Sequence, residues 1–220
     1  MTPWQPRGTY ADGVLESLTT RAARLVRADA RVVLGIAGSP GSGKTTLAAD
    51  IVGALGERGI AAAYLPMDGF HLANATLDAL GRHDRKGAID TFDGWGFVGL
   101  LERIHTERDH PVYAPGFDRA VDEPIAGALT IAPETQIVVA EGNYLLVDEE
   151  PWSRIPSLLA EAWFCAAPEG ERMRRLVDRH QRHGRTPAAA LAWARDVDGA
   201  NALLIETTLP RAALVVDTSP

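Results

Sequence analysis

The chain predicts an α/β fold, with a mainly parallel sheet and helices on both of its faces. Three observations carry that expectation. Short apolar runs rich in β-branched residues alternate with segments of helical periodicity. One run, Arg31-Val32-Val33-Leu34-Gly35-Ile36-Ala37, leads straight into Gly38-Ser39-Pro40-Gly41-Ser42-Gly43-Lys44-Thr45, which fits the spacing G-x-x-x-x-G-K-[ST]. Leu47, Ile51, Val52 and Leu55 then recur at helical spacing. A Gly-rich loop between a strand and a helix is the setting in which that spacing has chemical meaning.

The elements follow in order. Residues 11–29 read as an amphipathic helix, because Val14, Leu15, Leu18, Ala22, Leu25 and Val26 share one side. Strand 31–37, the loop and helix 44–56 come next, and 60–66 reads as a second strand. A polar stretch, 67–93, interrupts the alternation. Trp95, Val98, Leu101 and Ile104 mark a helix over 95–107. Pro111, Pro115, Pro124, Gly116 and Gly127 break 111–131 into loops and short strands. Buried strands are expected at 136–140 and 161–166, an Arg-rich helix over 169–183, a helix over 187–199 and a last strand over 213–217. No internal repeat or low-complexity segment is visible.

Composition narrows the function classes. A hydrophobic fraction of 46% supports a full core, and a formal charge of −7 offers no general basic face for nucleic acid. Cys165, the one cysteine, sits in an apolar run and reads as a small core residue. Met1-Thr2-Pro3-Trp4 has neither the charged nor the apolar region of a secretory signal. No apolar run reaches the ~20 residues of a membrane span. A cytoplasmic protein without membrane or nucleic-acid partners is expected, and a homodimer is one assembly the sequence permits.

The loop dictates phosphate chemistry. Glycines let successive backbone N–H groups turn inward onto phosphate oxygens, and the helix N-terminus adds partial positive charge. Gly38, Ser39, Gly41, Ser42, Gly43, Lys44, Thr45 and Thr46 are therefore the expected Mg-ATP site, with Lys44 on the β- and γ-phosphates and Thr45 in a magnesium position. Lys44 and Lys86 are the only lysines, so a chain that otherwise uses arginine places a flexible point charge here.

Three further features surround it. Asp68 stands at the carboxyl end of the second strand, where it can act as a general base or merely form an Asp-Gly turn, with Gly69 supplying an unusual backbone angle. Glu141 ends an apolar strand and can hold magnesium opposite Thr45. Arg172, Arg175, Arg179 and Arg182 share one helical face, which can close over ATP as a lid or remain a solvated basic face. Arg175 and Arg179, one turn apart, are the expected catalytic pair.

With these pieces in place the chain resembles the P-loop kinases of the uridine kinase, phosphoribulokinase and type I pantothenate kinase group. It is most similar to the branch labelled fructose-transport-system kinase or nucleoside/nucleotide kinase family protein. The matching residues are 38–45, Met67-Asp68-Gly69-Phe70-His71, Lys86-Gly87, Asp90-Thr91-Phe92-Asp93, Pro111-Val112-Tyr113, Phe117-Asp118-Arg119 and Glu141-Gly142-Asn143-Tyr144-Leu145-Leu146. The resemblance implies a P-loop NTPase sandwich whose five parallel strands stand in the order 2-3-1-4-5 under an Arg-bearing lid. It implies that Asp68 activates the acceptor hydroxyl and that His71, Asp93, Tyr113, Arg119 and Asn143 lie near the acceptor. Other readings stay open: Asp90 as a helix cap, Tyr113 as core, Arg119 paired with Asp118 or Asp122, His71 bonded to a carbonyl. The long insertions of uridine kinases and the N-terminal extension of pantothenate kinases are missing.

Residues 1–220 are thus expected to form one kinase domain, with 67–131 binding the acceptor and 169–200 forming the lid. The expected activity moves the γ-phosphate of Mg-ATP to a hydroxyl of a small metabolite: a nucleoside, a sugar or a pantothenate-like molecule, not a nucleoside monophosphate. The competing class is a P-loop ATPase or nucleotide-driven switch without an acceptor, which has no need of an acid at 68 and a polar stretch at 69–93.

Overall fold

The computed structural model describes residue 11 and residues 13–219, so the reading of Met1 to Trp4 lies outside the described residues. Its strands are β1 (Val32–Gly38), β2 (Ala62–Pro66), β3 (Val112–Asp118), β4 (Glu123–Ile131), β5 (Ile137–Gly142), β6 (Glu161–Ala166) and β7 (Leu214–Asp217). Its α-helices are α1 (Val14–Ala23), α2 (Lys44–Glu57), α3 (Asn74–Leu80), α4 (Gly94–Thr106), α5 (Glu169–Arg182), α6 (Pro187–Trp193) and α7 (Gly199–Glu206).

Five strands form one sheet in the order β2-β5-β1-β6-β7, every pair parallel. Counting those five strands alone along the chain gives 2-3-1-4-5, the expected order. The physical basis is visible in β1, which is buried at every position. Val32, Leu34 and Ile36 pack with Leu47, Ile51 and Leu55 of α2 on one face. Val33 and Ala37 pack with Phe97, Leu101 and Ile104 of α4 on the other. A strand covered on both faces reads as a continuous apolar run because neither side meets water. Cys165 is buried among these layers, and burial pushes its thiol up to about 12.

The segment 111–131 is more regular than its prolines and glycines suggest. Strands β3 and β4 pair antiparallel as a hairpin, with an irregularity between Ala114 and Gly116 around Pro115. The expected helix over 187–199 is also different: α6 passes through a π-helical turn, Ala194–Asp198, into α7 and extends to Glu206. No helix among the described residues is long and apolar enough to cross a membrane.

Arg31 was read only as the lead-in to β1, yet it is 1% exposed. Its guanidinium donates to the carbonyls of Thr135, Ile104, Glu107, Ala132 and Pro133 at 2.9–3.1 Å. It thereby satisfies the last carbonyls around the end of α4 and joins them to the turn before β5. Burial lowers its pKa, but a guanidinium remains cationic. Arg31→Met keeps the stem and strands these acceptors, so unfolding stability should fall by about 3 kcal/mol. Urea denaturation checks this, and an unchanged midpoint would show that the carbonyls find other partners.

Candidate active site

The loop after β1 is shaped by close approach. Gly41 and Gly43 hold φ of +77° and +88°, a region L side chains rarely adopt. A Cβ on Gly38 would lie 2.7 Å from the Cys165 carbonyl, and one on Gly41 2.7 Å from the Arg172 carbonyl. The loop is therefore pressed between β6 and α5, and only glycine fits at these points. Lys44 opens α2, so the loop amides and the helix N-terminus share one concavity. The Ser42 hydroxyl is buried without a protein partner. Ser39 is turned elsewhere: its hydroxyl donates to Glu206 of α7 at 2.5 Å. Thr46 follows Thr45 in the first turn of α2.

Asp68 lies in a tight 3-10 turn, Met67–Phe70, directly after β2. Gly69 does not have a left-handed backbone angle, contrary to expectation. It is needed because a Cβ there would meet the Pro115 carbonyl at 2.2 Å, so the β3–β4 hairpin rests on this turn. Register pairs Pro66 with Glu141 and sets Asp68 just beyond. The Arg119 guanidinium donates to Asp68 at 3.3 Å, rather than to Asp118 or Asp122. Burial pushes the Asp68 carboxyl up, but His71, Lys44, Arg119 and Arg179 together hold it below its ordinary range. His71 stacks on Phe92 with ring centroids 3.9 Å apart, and its buried Nδ1 has no partner. Desolvation pushes His71 down to about 4, against the pull of Asp68, so the imidazole is neutral near pH 7.

Glu141 ends β5 beside the loop. Thr45 donates to its Oε1 at 3.1 Å and Tyr64 donates to the same oxygen at 2.7 Å. Burial pushes the Glu141 carboxyl up while Lys44 draws it down, with the net direction upward. A hydroxyl and a carboxylate side by side at a phosphate loop are the hard oxygen donors that magnesium accepts. The donor set therefore fits that ion, completed by phosphate oxygens and water.

The arginine face of α5 divides. Arg179 lines the central cavity and has no hydrogen bond or ion pair among the described residues. Burial lowers its pKa, opposed by Asp198, and it stays cationic. Arg175 does not join it there, contrary to the expectation of a pair pointing into one site. It donates to Glu171 at 2.7 Å, to the Gly41 carbonyl at 3.3 Å and to the Thr218 carbonyl at 2.9 Å. Arg172 is buried against the Pro40 carbonyl. Arg174 and Arg182 form surface pairs with Glu171 and Asp178.

Two cavities meet at Asp68, Thr45, Phe117 and Arg119. One, of about 450 Å³, runs under α5 and α6 and reaches Lys44, His71, Asn143 and Arg179. The other, about 550 Å³, lies between β2, Glu141 and the hairpin. The structure thus brings the loop, Asp68, His71, Arg119, Asn143, Glu141 and Arg179 together. It does not bring Asp93 or Tyr113 into either cavity. The Asp93 carboxylate caps α4 by accepting from the Gly96 amide at 2.8 Å, and Asp90 instead pairs with Arg82 and Arg85. Tyr113 is 58% exposed on the outer side of β3, so it is neither pocket nor core. Sequence reasoning missed His180, Asp198 and Asn201, which line the first cavity. It also missed the part played by Lys86, whose ammonium is buried against Asn74 and Asp122. Two signals for Lys86 were available, the rarity of lysine and the Lys86-Gly87 match to the family.

Residues 33–96 match the model of the Phosphoribulokinase / Uridine kinase family. A Schizosaccharomyces pombe protein provisionally named a uridine kinase is 38% identical over 144 residues, 63% of this chain and 61% of that protein. The chain therefore spans about three-fifths of that relative. YggC of Escherichia coli, uncharacterised, is 31% identical over 198 residues, 89% of this chain and 81% of its own. A crystal structure from Silicibacter sp. TM1040, provisionally named a fructose transport system kinase, superposes with a TM-score of 0.85 at 37% identity. The superposition covers 92% of this chain and 98% of that one. The superposition takes in nearly the whole chain, well beyond the residues that the family model matches, and the chain belongs to the phosphoribulokinase/uridine kinase family of P-loop kinases.

Proposed function

We propose that the protein transfers the γ-phosphoryl group of ATP to a hydroxyl of a small metabolite. The observation that carries this reading is that Asp68 faces the same cavity as Lys44 and Arg179, with room beyond it for an acceptor. A nucleotide switch has no use for that space. The names of the relatives point to sugars and nucleosides, and a pantothenate-like alcohol also fits as a small, neutral or mildly anionic acceptor.

In this reading the loop amides and Lys44 hold the β- and γ-phosphates. Thr45 and Glu141 hold magnesium, which supplies neutralisation of phosphate charge. His71, Arg119 and Asn143 position the acceptor, and Asp68 takes the proton of its hydroxyl. The freed oxygen bonds to the γ-phosphorus as the bond from phosphorus to the bridging oxygen breaks, leaving ADP. Arg179 meets the charge that spreads over the phosphoryl oxygens. Incubation with ATP and a metabolite panel, read by mass spectrometry, tests the reading. ATP turnover that no added metabolite stimulates would favour the ATPase class.

The division between the two lid arginines makes a separate prediction. Arg179→Ala should lower kcat by about 10²-fold with little change in the KM for ATP, because its charge is used as the transition state forms. Arg175→Ala should instead raise the KM for ATP, since it loosens the Gly41 carbonyl from the chain end at Thr218. Steady-state kinetics with ATP varied separate the two. Equal small effects would return α5 to a solvated basic face.

A further inference from the structure

We propose that Asp198 is a specificity-determining residue that binds a second hydroxyl of the acceptor, and that the acceptor is therefore polyhydroxylated, as a sugar or a sugar-bearing nucleoside is. The inference rests on the kinase reading and names the acceptor class for the same cavity. It begins with the π-helical turn, Ala194–Asp198. One extra residue in a helical turn rotates everything beyond it by about 100°. Here it leaves Asp198 facing the cavity and Asn201 donating to the Gly87 carbonyl at 3.1 Å. Asp198 and His180 have side chains only 11% and 15% exposed and meet at 2.7 Å. His180 engages one carboxylate oxygen, Oδ2, and no group among the described residues bonds the other.

In the kinase reading Lys44 and Arg179 are kept for the phosphates of ATP, and three further cations of the cavity are engaged within the protein. Arg119 pairs with Asp68, Lys86 with Asp122, and Arg185 lies over the Trp193 ring at 3.9 Å. A cationic ligand at this end would face Arg179, Arg185 and Lys86, and a phosphate would face Asp198 and Asp122. Apart from Lys44 and Arg179, the lining groups without a hydrogen-bond partner among the described residues include the Oδ1 of Asp198, the buried Asn143 Oδ1 and the buried His71 Nδ1, all acceptors or neutral. Hydroxyl groups match such a set because each can donate to a carboxylate or amide oxygen and still accept. Phe92, Phe117 and Trp193 supply flat apolar walls for the carbon skeleton. With one hydroxyl at Asp68 and another at Asp198, the acceptor is held at two points and its reacting oxygen is oriented.

The test uses the full chain, ATP and a defined panel: uridine, D-ribose, D-fructose, pantothenate and, as a one-hydroxyl control, n-propanol. The best panel member is then compared with its monodeoxy analogues in native protein, Asp198→Asn and His180→Gln. One deoxy analogue should lose about tenfold or more in kcat/KM with native protein, and that loss should shrink below about threefold in Asp198→Asn. The KM for the intact acceptor should rise about tenfold in that variant while the KM for ATP moves less than about threefold. If thermal melting shows that Asp198→Asn does not fold, His180→Gln carries the test, with the same selective rise. Deoxy penalties that stay unchanged in the folded variants, or n-propanol used as well as the polyols, would overturn the inference and leave the kinase standing. No turnover of any panel member would overturn the acceptor reading and this inference with it.

Discussion

Lys44→Ala is expected to lower phosphoryl transfer by about 10²- to 10³-fold while the protein stays folded. Lys44 opens α2 at the floor of the cavity, where its ammonium adds a point charge to the loop amides. Truncation removes a charge-assisted bond to the phosphates, which strengthens as charge moves onto the leaving oxygen. The core keeps its packing, because Leu47, Ile51 and Leu55 carry the buried face of α2. Lys44 also draws the Asp68 and Glu141 carboxyls down, so its loss removes an electrostatic support from both. Turnover and thermal melting measured together decide the matter. Near-native transfer by a folded Lys44→Ala protein would remove the loop from the chemistry.

Asp68→Asn is expected to lower acceptor-dependent turnover by about 10²- to 10⁴-fold, with ATP affinity nearly unchanged. The amide keeps the shape and removes the basic oxygen. A parallel fall in ATP affinity would make Asp68 a metal or structural residue instead. The pH profile offers an independent check. A folded-state pKa below the ordinary value of 3.8 means that the base is ionised at every pH above that value. The acid limb of kcat/KM assigned to Asp68 should therefore lie below the usual carboxylate range. Arg119→Ala removes one of the cations that lower it, so that limb should move to higher pH.

The parts of the site that could be read in the chain are those whose chemistry is local. The loop, its strand and its helix are contiguous, and the spacing of glycines, Lys44 and Thr45 states their geometry directly. Asp68 and Glu141 were legible because a residue that follows an apolar strand in a parallel sheet stands at its carboxyl end, where ligands collect. Arg175 and Arg179 show the limit. Helical spacing places both on one face of α5, but the packing of α5 against the loop gives Arg175 the Gly41 and Thr218 carbonyls and leaves Arg179 for the cavity.

Asp93 and Tyr113 fail for a related reason. Each lies in a segment that lines the cleft, but segment and side chain are different things. A carboxylate three residues before a free helix amide is captured by that amide, and a strand residue on the odd side of a pleat points away whatever its neighbours do.

The sequence by itself determined the layered α/β architecture, the strand order through its resemblance, the phosphate loop and the two strand-end acids. Apart from the strand order, which the resemblance implied, these follow from periodicity and from residues that are neighbours in the chain. Only the tertiary structure decided which charges meet: Arg119 with Asp68, Lys86 with Asp122, His180 with Asp198, Arg31 with the carbonyls around the end of α4. These partners lie between 18 and 76 residues apart along the chain. Long-range pairings of this kind leave no mark on local periodicity. They depend on how the hairpin seats on Gly69 and on the extra residue in the turn before α7, and both are settled when the whole chain packs.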